Sequence, residues 1–163
     1  MSGGFLVKRF ALKRTFEVPV SRLWAAWGEP GLVRQWWGPI GFTCPVAQMD
    51  LRKGGVSLVC MEGPGGSPRM YSTWTYVRVE PERLFDYRFN LADAQGNAID
   101  PTSIGMPPEF PRNALHQVRL NALEGGRSEL VMTEHGYVSD ELMELSRMGL
   151  SQCFDKMAVA LAT

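Results

Sequence analysis

The stretch Pro19–Pro39, PVSRLWAAWGEPGLVRQWWGP, holds four of the chain's five tryptophans, and its reading decides the fold. It reads as two short helices broken at Gly28-Glu29-Pro30. Ser21 is the expected cap of the first, with Leu23, Trp24 and Trp27 as its buried face, and Gly28 stops it. Pro30 starts the second, where a missing N–H costs nothing, and Leu32, Val33, Trp36 and Trp37 follow at helical spacing as far as Gly38-Pro39. Helices this short cannot bury so much aromatic surface against each other. They need a larger partner, and most of the remaining chain reads as strand.

Working outward, the N-terminal side has a Met1–Gly4 lead and then a loosely alternating run, Phe5 to Val18. Phe10, Leu12, Phe16 and Val18 fall on one side of it, the pattern of a first strand. The basic pairs Lys8-Arg9 and Lys13-Arg14 fit a solvated strand edge. On the C-terminal side, Val46–Leu51 and Val56–Glu62 form a hairpin around Lys53-Gly54-Gly55. The turn Gly63–Pro68 lacks the Lys-Ser/Thr and the following helix of a phosphate loop. Tyr71–Val79 and Leu84–Asn90 come next, the second with Phe85, Tyr87 and Phe89 on one face and Asp86 and Arg88 on the other. His116–Leu123 and Ser128–Tyr137 close around Gly125-Gly126. There His116, Val118, Leu120 and Ala122 share one face, and Leu130, Met132 and Glu134 share a face of the partner strand. Ser139 caps the longest helical pattern, whose stripe is Leu142, Leu145, Gly149, Leu150, Cys153, Phe154, Met157 and Leu161.

The order is strand, two short helices, six strands, one long helix. This is an α+β pattern: a curved antiparallel sheet around a long C-terminal helix, each covering the other's apolar face. Residues 92–114 break the rhythm with four prolines and two glycines. A loop this long inside a compact domain is usually functional, and Ile99, Ile104, Met106 and Phe110 give it the anchors of a lid.

Length and charge narrow the classes. At 163 residues one domain, 1–163, is expected, able to bury roughly two-thirds of its unfolded surface. Seventeen basic side chains balance seventeen acidic ones, which removes the electrostatic footprint of a nucleic-acid or anionic-membrane binder. No run approaches the roughly twenty apolar residues needed to span a bilayer. Cys44, Cys60 and Cys153 stand apart without metal spacing, as reduced thiols of a cytoplasmic protein do. Two histidines on opposite strand faces and scattered cysteines make no ligand set, so neither a metal nor a cofactor is expected.

Several of these residues also carry a resemblance. Phe16–Trp27 (FEVPVSRLWAAW), Trp36-Trp37-Gly38-Pro39, Gly41-Phe42-Thr43, Asp50–Gly55 (DLRKGG), Pro81-Glu82-Arg83-Leu84, Ile104-Gly105-Met106-Pro107, Gly136-Tyr137 and the closing helix resemble the SRPBCC (START-like) superfamily. More narrowly, they resemble the branch named after the C-terminal domain of the activator of the heat-shock protein 90 ATPase. The resemblance runs from about Val7 to Leu161. It implies a helix-grip fold with a deep cavity between sheet and helix, where superfamily members bind lipids, hormones or polyketides and some act as cyclases. Many members carry His-x-x-Gly-Trp on the last helix. Here the glycine is Gly149, but Ser146 and Leu150 stand at the other two positions, and the smaller residue at 150 implies a larger pocket.

Within that frame the expected ligand-binding residues are Trp36, Trp37, Phe42, Met61, Trp74, Phe85, Tyr87, Phe89, Met106, His116, Met132, Glu134, Leu150 and Cys153. His116 and Glu134 are the one polar pair, placed together by strand alternation, and are the acid–base candidates if the protein is an enzyme. Three functions follow. The first is binding of a small hydrophobic molecule in the cavity under the lid. The second is a cyclase- or lyase-like reaction there. The third is a chaperone-interacting module, for which the branch's additional N-terminal domain has no room in this chain. A homodimer is compatible with the composition.

Overall fold

The computed structural model of the chain describes residues 6–162; the expected lead at Met1–Gly4 and a strand start at Phe5 lie outside the described residues. Seven strands form one antiparallel sheet: β1 (Lys8–Phe16), β2 (Thr43–Gln48), β3 (Val56–Glu62), β4 (Arg69–Glu80), β5 (Leu84–Ala92), β6 (Ala114–Ala122) and β7 (Ser128–Tyr137). Their order across the sheet is β1-β7-β6-β5-β4-β3-β2. Each sequential pair from β2 to β7 is therefore a neighbour, and β1 closes the far edge on β7. Two short helices, α1 (Val20–Gly28) and α2 (Pro30–Trp36), follow β1, and α3 (Asp140–Leu161) ends the chain. The helix of 22 residues is about 33 Å long, enough to run along the whole inner face of the sheet.

The local signals explain most boundaries. Pro30 sits in the first turn of α2. Ser139 caps α3, its side-chain oxygen accepting from the Leu142 N–H at 3.2 Å, with Asp140 and Glu141 in the first turn where the helix dipole favours them. Ser21, by contrast, lies inside α1. The cap position is Pro19, whose side chain makes no capping bond. The Pro19 carbonyl already accepts from Arg22 and Leu23, so the helix starts two residues earlier than a cap at Ser21 would place it. The buried face of α1 is Leu23, Ala26 and Trp27, with Trp24 only partly covered.

The core is an aromatic stack between α1, α2 and the sheet. Trp27 is wholly buried and meets Trp36 at 4.7 Å, Phe85 at 5.2 Å, Trp74 at 5.9 Å and Phe154 at 6.3 Å between ring centroids. Edge-on packing of this kind adds to the burial itself. The turn after α2 is then fastened to α3: Lys156 Nζ donates to the carbonyls of Gly38 at 2.9 Å and Phe42 at 3.1 Å, and the Ile40 N–H donates to Gln152 Oε1 at 3.0 Å. Gly38 makes this turn possible. Its φ is +106°, and a Cβ there would stand 3.1 Å from that of Phe42.

Along β1, Arg9 and Lys13 are exposed, as a solvated edge requires, whereas Lys8 and Arg14 are half-buried on the face that carries Phe10 and Phe16. Lys8 pairs with Asp140, and Arg14 pairs with Asp155 at 2.7 Å, so the edge strand is laced to α3. No helix among the described residues is long and apolar enough to cross a membrane.

Candidate functional site

A cavity of about 630 Å³ opens between the sheet, the C-terminal helix and the loop 92–114. The loop is folded in its own right. A short 3-10 turn, Pro101–Ile104, is capped by Asp100, whose Oδ1 accepts from the Thr102 N–H at 2.9 Å and from Arg112 at 2.8 Å. That bond draws the two arms of the loop together. Met106, Pro107, Glu109, Phe110 and Pro111 then form its contribution to the wall.

Five of the seven strands contribute inward side chains: Met61 from β3, Met70 from β4, Phe89 from β5, Ala114 and His116 from β6, and Glu134 and Tyr137 from β7. Trp37 and Pro39 close the end next to α2. The helix presents Leu142, Leu145, Ser146, Gly149, Leu150 and Cys153. Ser146, Gly149 and Leu150, the three residues at the His-x-x-Gly-Trp positions, thus all face the cavity. A Cβ at Gly149 would meet nothing within 4 Å, so the helix leaves open space at that point.

Of the residues expected from sequence, the structure brings Trp37, Met61, Phe89, Met106, His116, Glu134, Leu150 and Cys153 together on the wall. Trp36, Phe42, Trp74, Phe85, Tyr87 and Met132 do not reach it. Trp36 turns inward and donates its indole N–H to the Ala26 carbonyl at 2.8 Å. Trp74, Phe85 and Tyr87 are consumed by the aromatic core, where Trp74 and Tyr87 stack at 5.0 Å. Met132 is core beneath the cavity, and Phe42 is half-buried in the turn after α2. Leu145, expected on the buried stripe, is 58% exposed at the cavity mouth.

The buried polar groups of the wall, His116 and Glu134, are backed by Tyr87 on a third strand. Tyr87, His116 and Glu134 lie opposite one another on β5, β6 and β7. His116 is 5% exposed and Glu134 7%. The His116 Nδ1 is 3.2 Å from the Tyr87 hydroxyl, and its ring stacks on Phe89 at 5.0 Å. His116 Nε2 and Glu134 Oε1 stand 3.9 Å apart, beyond hydrogen-bond reach. Tyr137 supplies the partner that sequence alternation misses, its hydroxyl donating to Glu134 Oε1 at 2.7 Å. Three residues on, Tyr137 should face away from Glu134. Gly136, at φ +98°, sits where the register with β1 slips and turns Tyr137 back to the inner face. A glycine inside a strand is the signal that could have located it.

Burial sets the charges here. It pushes Glu134 up to about 7 against the opposing bond from Tyr137, and drives His116 down to about 3 with the neighbouring His135 adding to the effect. The pair is therefore no ion pair at neutral pH: the imidazole is uncharged, whatever the proximity of the two groups. The linkage signs are opposite. Glu134 holds its proton in the fold, so its contribution is fully present below its ordinary value of 4.5 and is lost as pH rises to about 7. At roughly 1.4 kcal/mol per pH unit this amounts to roughly 3 kcal/mol. His116 must stay neutral in the fold, so its contribution is present above its ordinary 6.5 and is lost as pH falls toward 3. Glu134→Gln removes the first slope alone. Denaturant titrations should find the variant close to the native protein at pH 4 and more stable by roughly 3 kcal/mol at pH 8. A variant no more stable at pH 8 than at pH 4, relative to the native chain, would contradict the assignment.

The remaining titratable groups give little chemistry. Cys153 is pushed up to about 12 by burial, and Cys44 to about 11; all three cysteines are free and buried. No group of three or more metal-ligating side chains exists among the described residues. His135, on the outer face, bonds Gln117 at 2.8 Å.

A seven-stranded antiparallel sheet that grips a C-terminal helix and leaves a cavity beside it defines a helix-grip protein of the α+β class. Comparison with known families narrows this. The chain belongs to the Activator of Hsp90 ATPase homolog 1-like protein family, whose profile matches residues 17–162. Among solved structures, a protein of Chromobacterium violaceum superposes with a TM-score of 0.75 at 20% identity, covering 95% of this chain and 97% of that one. One from Arthrobacter aurescens gives 0.76 at 22%, covering 96% and 91%. The AHSA1-like protein of Aeromonas hydrophila gives 0.72 at 16%, covering 95% and 92%. At these identities the likeness is one of fold. No curated protein matches the chain in sequence.

Proposed function

We infer that the protein binds a small, largely apolar molecule in the cavity between sheet and helix. The observation that carries this is the cavity itself: about 630 Å³ of space walled mainly by methionine, proline, leucine and aromatic side chains, with His116 and Glu134 buried in its wall. That is the size and composition of a ligand pocket, and a core of this aromatic density would otherwise pack it shut. Methionines 61, 70 and 106 suit an apolar body of variable outline. The folded loop 92–114 forms part of the wall, in keeping with a lid. The acid–base alternative is less well supported, because His116 and Glu134 share no hydrogen bond at 3.9 Å.

The direct test is titration with N-phenylnaphthylamine, a neutral dye that brightens in apolar surroundings. Saturable brightening at one dye per chain, reversed by competing aliphatic alcohols, is the expected result. Absence of saturable uptake would overturn the reading.

A further inference from the structure

The charged side chains lining the cavity all have the same sign. Glu109 and Glu141 are exposed at its mouth, Glu134 is buried in its wall, and among the described residues no lysine or arginine joins them. The nearby cations are engaged elsewhere. Arg112 is tied to Asp100, Lys156 to the carbonyls of Gly38 and Phe42, and Arg147 lies over the Phe10 ring and pairs with Glu144. Among the described residues, the hydrogen bond that the Glu134 carboxyl accepts comes from Tyr137 alone, on Oε1. A carboxyl so placed has capacity for a second donor from the cavity side, and nothing in the wall supplies a positive one. Trp37, Phe89, Phe110 and Tyr137 add aromatic rings to the same space, surfaces that tolerate an ammonium and gain nothing from an anion.

We propose that the cavity selects a cationic amphiphile: an apolar body carrying a protonated amine, the ammonium on Glu134 and the apolar part along the methionines and Leu150. The proposal rests on the ligand-binding reading above and deepens it by fixing the ligand's charge. Two exposed glutamates at the mouth draw a cation inward, and a carboxylate-bearing molecule of equal size meets three acids and no base.

The groups packed around Glu134 leave it as the buried switch. His116 from β6 stays neutral, driven down to about 3 by burial. Burial raises Tyr87 from β5, Tyr137 on its own strand, and Cys153 from α3, the last to about 12. From β1 the facing residue is the apolar Phe10. Among these buried neighbours none titrates between pH 5 and 8. An ammonium that needs the carboxylate is therefore bound more tightly at pH 8 than at pH 5.5.

The experiment displaces N-phenylnaphthylamine from the full chain with decylamine, decanol and decanoic acid, each below its micelle concentration. At pH 8 decylamine should act at a concentration at least about tenfold below that of decanol, with decanoic acid weakest. The amine-to-alcohol preference should shrink at pH 5.5, and in Glu134→Gln it should fall toward one. Should that variant not fold, the comparison of the native protein at the two pH values carries the test alone. Equal displacement by all three compounds, or a stronger effect of decanoic acid, overturns the charge assignment while leaving the cavity reading standing. A dye that never binds overturns both.

Discussion

Replacing Gly149 by phenylalanine is expected to abolish most uptake of N-phenylnaphthylamine, lowering affinity by roughly tenfold or more, without unfolding the protein. The reason is local. A Cβ at this position meets nothing within 4 Å, and the residue lies on the cavity wall between Ser146 and Leu150. A side chain added there grows into the space a ligand would take. The backbone should not object, because glycine in a helix interior is already less favourable than alanine by roughly 0.5–1 kcal/mol. Gly149→Ala serves as the control: it should raise stability by up to about 1 kcal/mol and retain most dye uptake. If Gly149→Phe binds dye as the native chain does, the dye sits elsewhere and the cavity loses its assigned role.

The largest loss of stability should come from Trp27→Ala, about 3–5 kcal/mol by denaturant titration. Trp27 is fully buried and touches both the second short helix, through Trp36, and the sheet and long helix, through Trp74, Phe85 and Phe154. A domain of this size has roughly 5–15 kcal/mol in total, so the variant would sit near the edge of folding. Trp27→Phe should cost much less, under about 2 kcal/mol. It keeps an aromatic ring and also removes a buried indole N–H that finds no hydrogen-bond partner among the described residues, a group whose burial carries its own penalty of about 1–3 kcal/mol. Equal losses in the two variants would contradict this reading, because a phenyl ring would then keep none of the stability that Trp27 contributes by packing.

These two positions mark opposite sides of what periodicity can read. Strand alternation correctly put His116 and Glu134 on one face, because each lies in a regular ladder where side chains alternate strictly. It failed three residues later at Tyr137, where Gly136 slips the register and reverses the parity. Met70 was missed for a different reason. It stands at the start of β4, before the alternation has enough length to show its face. Helical spacing gave Trp36 and Trp37 equal claims on the cavity. Only the way α2 ends separates them: Trp36 is the last helical residue and points into the core, whereas Trp37 caps the helix in extended backbone and turns toward the cavity.

By itself, the sequence determined the element order, the antiparallel sheet with its long capped helix, and the aromatic mass that must hold the two short helices down. These follow from local rules: hydrophobic period, proline and glycine punctuation, and a serine cap. Tertiary structure alone decided which aromatics fill the core and which wall a cavity, and why the helix shows an open glycine where a larger residue would fit. It also decided that the buried Glu134 carboxyl faces that space with a tyrosine as its partner instead of a cation. Each of those outcomes depends on what stands across the gap from a side chain, and no spacing along the chain encodes a distance between elements that meet only when folded.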